Sequence, residues 1–309
     1  MRENEFLKWI REQTPAHAGV PLSIGDDMAA VKLGPSLALL KIDQCLDRVH
    51  FDLRQHTAAQ AGRKAVDRCL SDCAAMACLP AAIMISVALP KNDQGSGEVF
   101  AKELFLACRD AAARFNCPLV GGDTSVWNQR LAITVSALGH LPEGQPLITR
   151  SGAKPGDTLF VSGALGGSLL GRHLTFTPRI ELAQTIARAA KLGLHAMMDI
   201  SDGLAQDIPR LCEASGVGVR LHTARLPIHE DAWTLSEKDG LPAGFHALAD
   251  GEDYELLFAL DPEAVPTIVN LSEIPLTAIG ELTADRSLLL VDEQSATHPW
   301  PTAGWEHRA

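Results

Sequence analysis

No run of this sequence is rich in Lys and Arg. Its 27 basic residues are scattered along 309 positions and outnumbered by 38 acids, for a formal charge of −11. Counterion release on nucleic acid and attraction to anionic membranes both need clustered positive charge, so neither partner is expected. A membrane span is missing too. The longest uncharged stretch, residues 73–90, is interrupted by Pro80 and falls short of the roughly 20 residues a span needs. It predicts instead a buried helix end, a turn at Pro80 and a strand over 83–87. The charged N-terminus has no apolar signal-peptide core, and a cytoplasmic location is expected. Seven cysteines show no paired CxxC spacing, and Cys69 and Cys73 have no further ligands to complete a zinc set, which predicts reduced, mostly buried thiols. Walker A, GxSxG and HExxH patterns and a strand-borne GxGxxG are all absent.

What is present describes a globular protein: 46% hydrophobic residues and a mean hydropathy of +0.05. The length suggests two domains. In the first half, apolar patterning predicts an amphipathic helix over 1–13 and strands over 37–42, 83–89, 118–120 and 131–138. Helices are predicted over 56–77 and 98–115, the latter with Phe100, Leu104, Phe105 and Cys108 on one side. A Pro/Gly-rich stretch at 141–157 marks the boundary. This gives an N-terminal α+β domain, 1–142, and a C-terminal α/β domain, 143–309. In the second half, strands are expected over 158–162, 196–200, 217–221, 255–260 and 288–291. Helices are expected over 180–192 and 204–214, the second kinked or shortened by Pro209.

Short acidic turns recur along the chain: Gly25-Asp26-Asp27, Ile42-Asp43, Ser71-Asp72, Gly122-Asp123, Asp199-Ile200-Ser201-Asp202-Gly203 and Gly251-Glu252-Asp253-Tyr254. One such turn is ordinary, because Asp and Gly are good turn formers. Six suggest clustered carboxylates, which repel unless a cation neutralises them, and oxygen-rich clusters suit magnesium. The glycine-rich turn 163–167 has no lysine; it is either a phosphate cradle of backbone amides or a tight structural turn.

These motifs, in this order, resemble those of the thiamine-monophosphate kinases. The resemblance rests on Gly25-Asp26-Asp27, Asp43 with Val49-His50-Phe51, Leu70-Ser71-Asp72-Cys73-Ala74-Ala75-Met76 and Gly121-Gly122-Asp123-Thr124. It continues through 150–157 (Arg150 to Asp157), Met198-Asp199-Ile200-Ser201-Asp202-Gly203-Leu204, Gly251-Glu252-Asp253-Tyr254-Glu255-Leu256 and the tail Gly304-Trp305-Glu306-His307. It implies ATP-dependent phosphorylation of thiamine monophosphate to thiamine diphosphate by a homodimer. It also implies the two-domain aminoimidazole ribonucleotide synthase-like fold, in which N-terminal domains pair through a β-barrel. By resemblance, Asp26, Asp43, Asp72, Asp123, Asp199 and Asp202 bind several magnesium ions, with Asp43, Asp72, Asp123 and Asp202 central to catalysis. Gly122, Asp123, Arg150 and Ser201 contact ATP, and His50, Glu252 and Trp305 contact the thiamine phosphate. Trp305 suits the flat cationic thiazolium. A phosphate acceptor is already largely ionised near neutrality, so no strong general base is expected, and direct in-line transfer follows.

The chain departs from the family pattern at a few places. Ile42, preceded by Lys41, stands where a Thr usually precedes Asp43 and helps the metal. Ala77 replaces a Gly, which predicts a different turn before Pro80. Asp250 adds an acid beside Glu252, and Pro209 interrupts the helix after Asp202. Two other readings are open: another ATP-using enzyme of the superfamily, or a divergent member that binds nucleotide or metal without turnover.

Overall fold

The computed structural model describes residues 3–91 and 97–304. Its first half holds α1 (Glu3–Gln13), β1 (Ala29–Leu33), β2 (Ser36–Leu46), α2 (Ala58–Ala75), β3 (Leu79–Pro90), α3 (Gly97–Ala113), β4 (Leu119–Trp127) and β5 (Ala132–His140). The five strands make one open sheet in the order β1-β2-β5-β3-β4, antiparallel except for the β3–β4 pair. Among the described residues of the single chain this sheet does not close into a barrel. The second half holds β6 (Thr158–Ser162), α4 (Ile180–Ala190), β7 (Leu194–Asp199), α5 (Leu204–Ser215), β8 (Gly218–His222), α6 (Glu230–Asp239) and α7 (Ala243–Ala249). It ends with β9 (Leu256–Leu260), α8 (Val265–Ile268), β10 (Leu276–Thr283), β11 (Leu288–Val291) and β12 (Thr297–Pro299). These strands form a seven-stranded sheet, β12-β11-β8-β10-β6-β9-β7, in which only β8 and β11 run parallel. Helices and strands interleave as expected. The two-sheet architecture is mixed α+β.

The two halves share one core. Buried residues of α2, such as Val66, Leu70 and Cys73, pack in a single cluster with Ile133 and Val135 of the first sheet and with Ile186, Met197 and Phe258 of the second half. An enclosed helix needs small side chains where it packs closely, which accounts for the run of Ala and Cys in α2, and its buried charged residues Lys64, Asp67 and Asp72 are each paired. Thr57 caps it: its hydroxyl accepts from the Gln60 amide, and the Gln60 side chain accepts in return from the Thr57 amide. All seven cysteines are free and buried, as expected.

Several local expectations need correction. Pro80 is not in a turn but in β3, beside a register shift, where the lost amide costs little. Gly121-Gly122-Asp123 lies inside β4, not in a turn. Phe105 is 51% exposed, whereas Leu104 and Cys108 of the expected face are buried together with Ala111 and Ala112. Ala77 keeps the left-handed conformation expected of glycine, with φ of 47°. Its carbonyl accepts from Gln145 at 2.6 Å and from Gln184, bonds that hold a conformation costing about 1–2 kcal/mol for a residue with a Cβ. Proline at 209 neither ends nor shortens α5. The carbonyl of Ala205, four residues back, has no proline amide to accept from and takes the indole N–H of Trp300 instead, at 2.8 Å.

Candidate active site

The site grows from one face of α2 laid against β2. Lys64, Arg68 and Asp72 are spaced i, i+4, i+8 and so lie along one side of the helix. Alternation along β2 turns Leu39, Lys41, Asp43 and Cys45 inward and leaves Leu40, Ile42 and Gln44 outward. The facing residues form crossed ion pairs. Lys41 Nζ donates to Asp72 Oδ1 at 2.7 Å, and Arg68 lies 3.3 Å from Asp43. Ile42, 67% exposed on the opposite face, is directed away from this cluster.

Asp72 is also one corner of a carboxylate triad. Oxygens of Asp27, Asp72 and Asp199 lie within 4.8 Å of one another, all three residues buried. Each comes from a different segment: the turn before β1, the body of α2 and the end of β7. Ser71 donates to Asp199 Oδ2 at 2.6 Å, tying α2 to β7. Burial pushes the Asp72 carboxyl well up, against the pull of Lys41. Burial, and then the charge of Asp27, pushes Asp199 up to about 6. Such a crowded set of buried oxygens is short of positive charge, and its hard-donor chemistry fits magnesium. Asp26 points elsewhere: its carboxylate accepts from the backbone amides of Asp27 and Arg150. Asp27, its neighbour, is the one that enters the triad, where the Arg150 guanidinium grips it through Nε at 3.0 Å and through Nη2. Arg150 is thus engaged with Asp27.

A second group lies across Arg68. Lys64 is completely buried, donates to Glu252 Oε2 at 2.7 Å and also donates to the His50 carbonyl. One lysine therefore joins two of the expected acceptor-binding residues from distant parts of the chain. The His50 ring Nδ1 accepts from the Leu46 amide at 2.9 Å. Burial lowers the Lys64 pKa, and Glu252 opposes that shift. Arg68 is electrostatically coupled to both Asp43 and Glu252 and so bridges the two groups. Its contact with Asp43 is poorly angled, and Nε and Nη1 are buried without a hydrogen-bond partner. Buried donors of this kind are costly to leave unmatched.

The loop carrying Glu252 is strained. Glu252 and Tyr254 have φ of 53° and 52°, the left-handed region disfavoured for both. Their amides bond to the carbonyls of Ser201 and Ile200 at 2.7 and 2.9 Å, which laces this loop onto the turn after β7. Gly251 has to be glycine at that crossing, because a Cβ there would come within 2.8 Å of the Ser201 carbonyl. On the same turn, Asp202 is held by Arg210, and its amide donates to buried Asp207 at 3.0 Å. The glycine-rich turn 163–167 is not an open phosphate cradle. The Gly166 amide donates to Asp253 at 3.0 Å and the Gly167 amide to Asp250 at 2.9 Å, so side-chain carboxylates take the anion's place.

Gly122 and Asp123 sit on edge strand β4. Gly122 passes so close to β3 that a Cβ would meet the Ile85 carbonyl at 1.9 Å. Asp123 is exposed and lies outside the triad, as do Asp43 and Asp202. Trp305 lies outside the described residues.

Comparison with known proteins decides the family. The model for the AIR synthase related protein N-terminal domain matches residues 25–141, and that for the C-terminal domain matches 151–292. The thiamine-monophosphate kinase of Rhodopirellula baltica is 36% identical over 93% of this chain and 91% of that protein. The chain belongs to the thiamine-monophosphate kinase family. The family's Escherichia coli K12 protein is 33% identical, covering 94% of this chain and 93% of its own length. A solved structure described as AaThiL complexed with AMPPCP and TMP is 28% identical and superposes with a TM-score of 0.84, over 99% of this chain and 97% of that one.

Beside these kinases, the residues that sequence reasoning missed are Asp27, Lys41, Lys64 and Arg68. A signal existed for two of them: Lys64 and Arg68 stand eight and four residues before Asp72, on the helix face that Asp72 defines. Nothing in the sequence shows that Asp27 rather than Asp26 turns inward.

Proposed function

We propose that the protein transfers the γ-phosphoryl group of ATP directly to thiamine monophosphate, giving thiamine diphosphate, as a magnesium-dependent cytoplasmic kinase. Family membership supports this reading, and so does the likeness to the AaThiL structure complexed with AMPPCP and TMP. The observation that carries it is the adjacency of two chemistries along α2: a buried carboxylate triad at Asp72 and a pair of buried cations, Lys64 and Arg68. One side suits metal-bound polyphosphate, and the other suits the phosphate of the acceptor.

Asp27, Asp72 and Asp199, with Asp43 beside them, would hold the metal; Asp26, Asp123 and Asp202 would complete the set around a bound nucleotide. Magnesium, when bound, supplies positive charge that bridges carboxylate and phosphate oxygens. Arg68, whose Nε and Nη1 have no hydrogen-bond partner, would give a charge-assisted contact to a phosphate oxygen brought against it. Lys64 fixes Glu252 and the His50 backbone on the acceptor side, and by resemblance to the family Trp305 would contact the thiamine phosphate. Arg150, Ser201 and Gly122 would border the nucleotide, and no group of the site has to act as a strong base. The seven free cysteines fit a reducing compartment.

Residues 1–142 would form the nucleotide-binding and pairing domain, and 143–309 the domain that completes the site. The outward face of the first sheet carries exposed Leu40, Ile42, Met84, Val120 and Leu138, an apolar patch that a second copy of the chain would cover to close a barrel. Incubation of purified protein with ATP, magnesium and thiamine monophosphate tests the activity. Thiamine diphosphate should accumulate in step with ADP. Nucleotide binding without turnover would leave the non-catalytic reading standing instead.

A further inference from the structure

We propose that Lys41 is a resident cation of the phosphoryl-transfer centre, occupying a position on Asp72 that a divalent ion would otherwise take. Strand alternation aims Lys41 inward beside Asp43, and its ammonium sits 2.7 Å from Asp72 Oδ1, on a carboxylate that also belongs to the buried triad. Magnesium binds carboxylate oxygen at about 2.0–2.1 Å, so an ammonium in hydrogen-bond contact with Oδ1 excludes a metal ion from the same lone-pair direction. The local charges agree in sign: Asp27, Asp43, Asp72 and Asp199 face three cations, Arg150, Arg68 and Lys41, so the ammonium supplies part of the positive charge the crowded carboxylates call for. The departure at residues 41–42 therefore has a physical meaning. Ile42 points to the opposite face of the sheet, and Lys41 brings a fixed positive charge to the cluster. The ammonium thus fills one carboxylate position that would otherwise be open to a divalent ion.

The inference rests on the kinase reading only in taking divalent cations to bind this cluster, and it is tested without turnover. Manganese bound per chain is counted by electron paramagnetic resonance, with a non-hydrolysable ATP analogue present, for the wild type, Lys41→Thr and Lys41→Arg. The expected result is one additional ion per chain in Lys41→Thr and an unchanged count in Lys41→Arg. Thermal unfolding provides the second readout: magnesium should raise the midpoint of Lys41→Thr by more than that of the wild type, because the metal then takes over the ammonium's charge. An unchanged ion count together with an unchanged magnesium-induced shift would overturn the inference. So would a Lys41→Thr chain that stays unfolded at millimolar magnesium. A wild type that binds manganese but makes no thiamine diphosphate would refute the kinase reading and leave the metal count intact.

Discussion

Lys64 Nζ and Glu252 Oε2 meet at 2.7 Å across 188 residues of chain, one from the buried face of α2 and the other from a strained loop of the second half. The lysine is fully buried and the glutamate half-buried. A pair like this contributes little net stability when both partners are present, yet removing one strands the other. Glu252→Gln is therefore expected to cost about 3–5 kcal/mol of stability as well as weakening acceptor binding. Lys64→Met should cost less than Glu252→Gln does, because it strands a carboxylate that can still reach solvent. The double variant should recover most of the lost stability while its KM for thiamine monophosphate stays raised by about tenfold or more. Urea unfolding and steady-state kinetics on the three variants check this. Independent, additive stability losses would show that the pair is not coupled.

Asp72→Asn should cut magnesium-dependent turnover by at least about 100-fold, because loss of a group that merely orients a metal ligand already costs about 10–100-fold. Folding should survive. Burial already pushes the Asp72 carboxyl well up, so a neutral amide suits the site, and Lys41 keeps Asp43 and Asp27 nearby. Turnover like that of the wild type would remove Asp72 from the mechanism.

His173 gives a pH prediction away from the metal cluster. Burial, and then the charge of Lys64, lowers its pKa from 6.5 to about 4, and its Nδ1 lies 2.9 Å from the Ser168 carbonyl. The folded state binds this proton less readily than the unfolded chain does. Its contribution is thus complete above about pH 6.5 and is lost as pH falls from there towards 4. Between pH 7 and 4.5 this one residue should account for about 2–3 kcal/mol of lost stability. His173→Gln, which can still donate to the carbonyl, should flatten the pH dependence by that amount in urea titrations. An unchanged pH dependence would mean that the imidazole is not held neutral.

Ile42→Asp tests the pairing of two chains. Ile42 is exposed on the outward face of β2, so a carboxylate there should leave the protomer folded and prevent the proposed pairing of two chains. Light scattering after gel filtration should give half the wild-type mass. A mass equal to that of the wild type would place the interface elsewhere.

Much of the fold was legible because local signals and packing agreed. The helical spacing of α2 was visible in the order of its residues, and α2 formed close to its expected limits, whereas β2, expected over 37–42, runs on to Leu46. What escaped sequence reasoning depended on tertiary contacts. Pro80 joins β3 because β5 pairs through a register shift, and Pro209 stays helical because Trp300, more than ninety residues away, takes the orphaned carbonyl. The site divides in the same way. Motifs pointed to Asp72 and Asp199, which the fold brings together. The choice of Asp27 over Asp26 was set by the Arg150 guanidinium, and the burial of Lys64 by a helix enclosed on all sides. Asp250 looked like one more acid beside the substrate, but it caps the Gly167 amide and pairs with His246.

Direct phosphoryl transfer to thiamine monophosphate is tested most simply by a single turnover with γ-labelled ATP and excess enzyme, quenched over time. The label should pass from ATP to the terminal phosphate of thiamine diphosphate, with none on protein at any time point. Label trapped on the protein, or released only as inorganic phosphate, would contradict it.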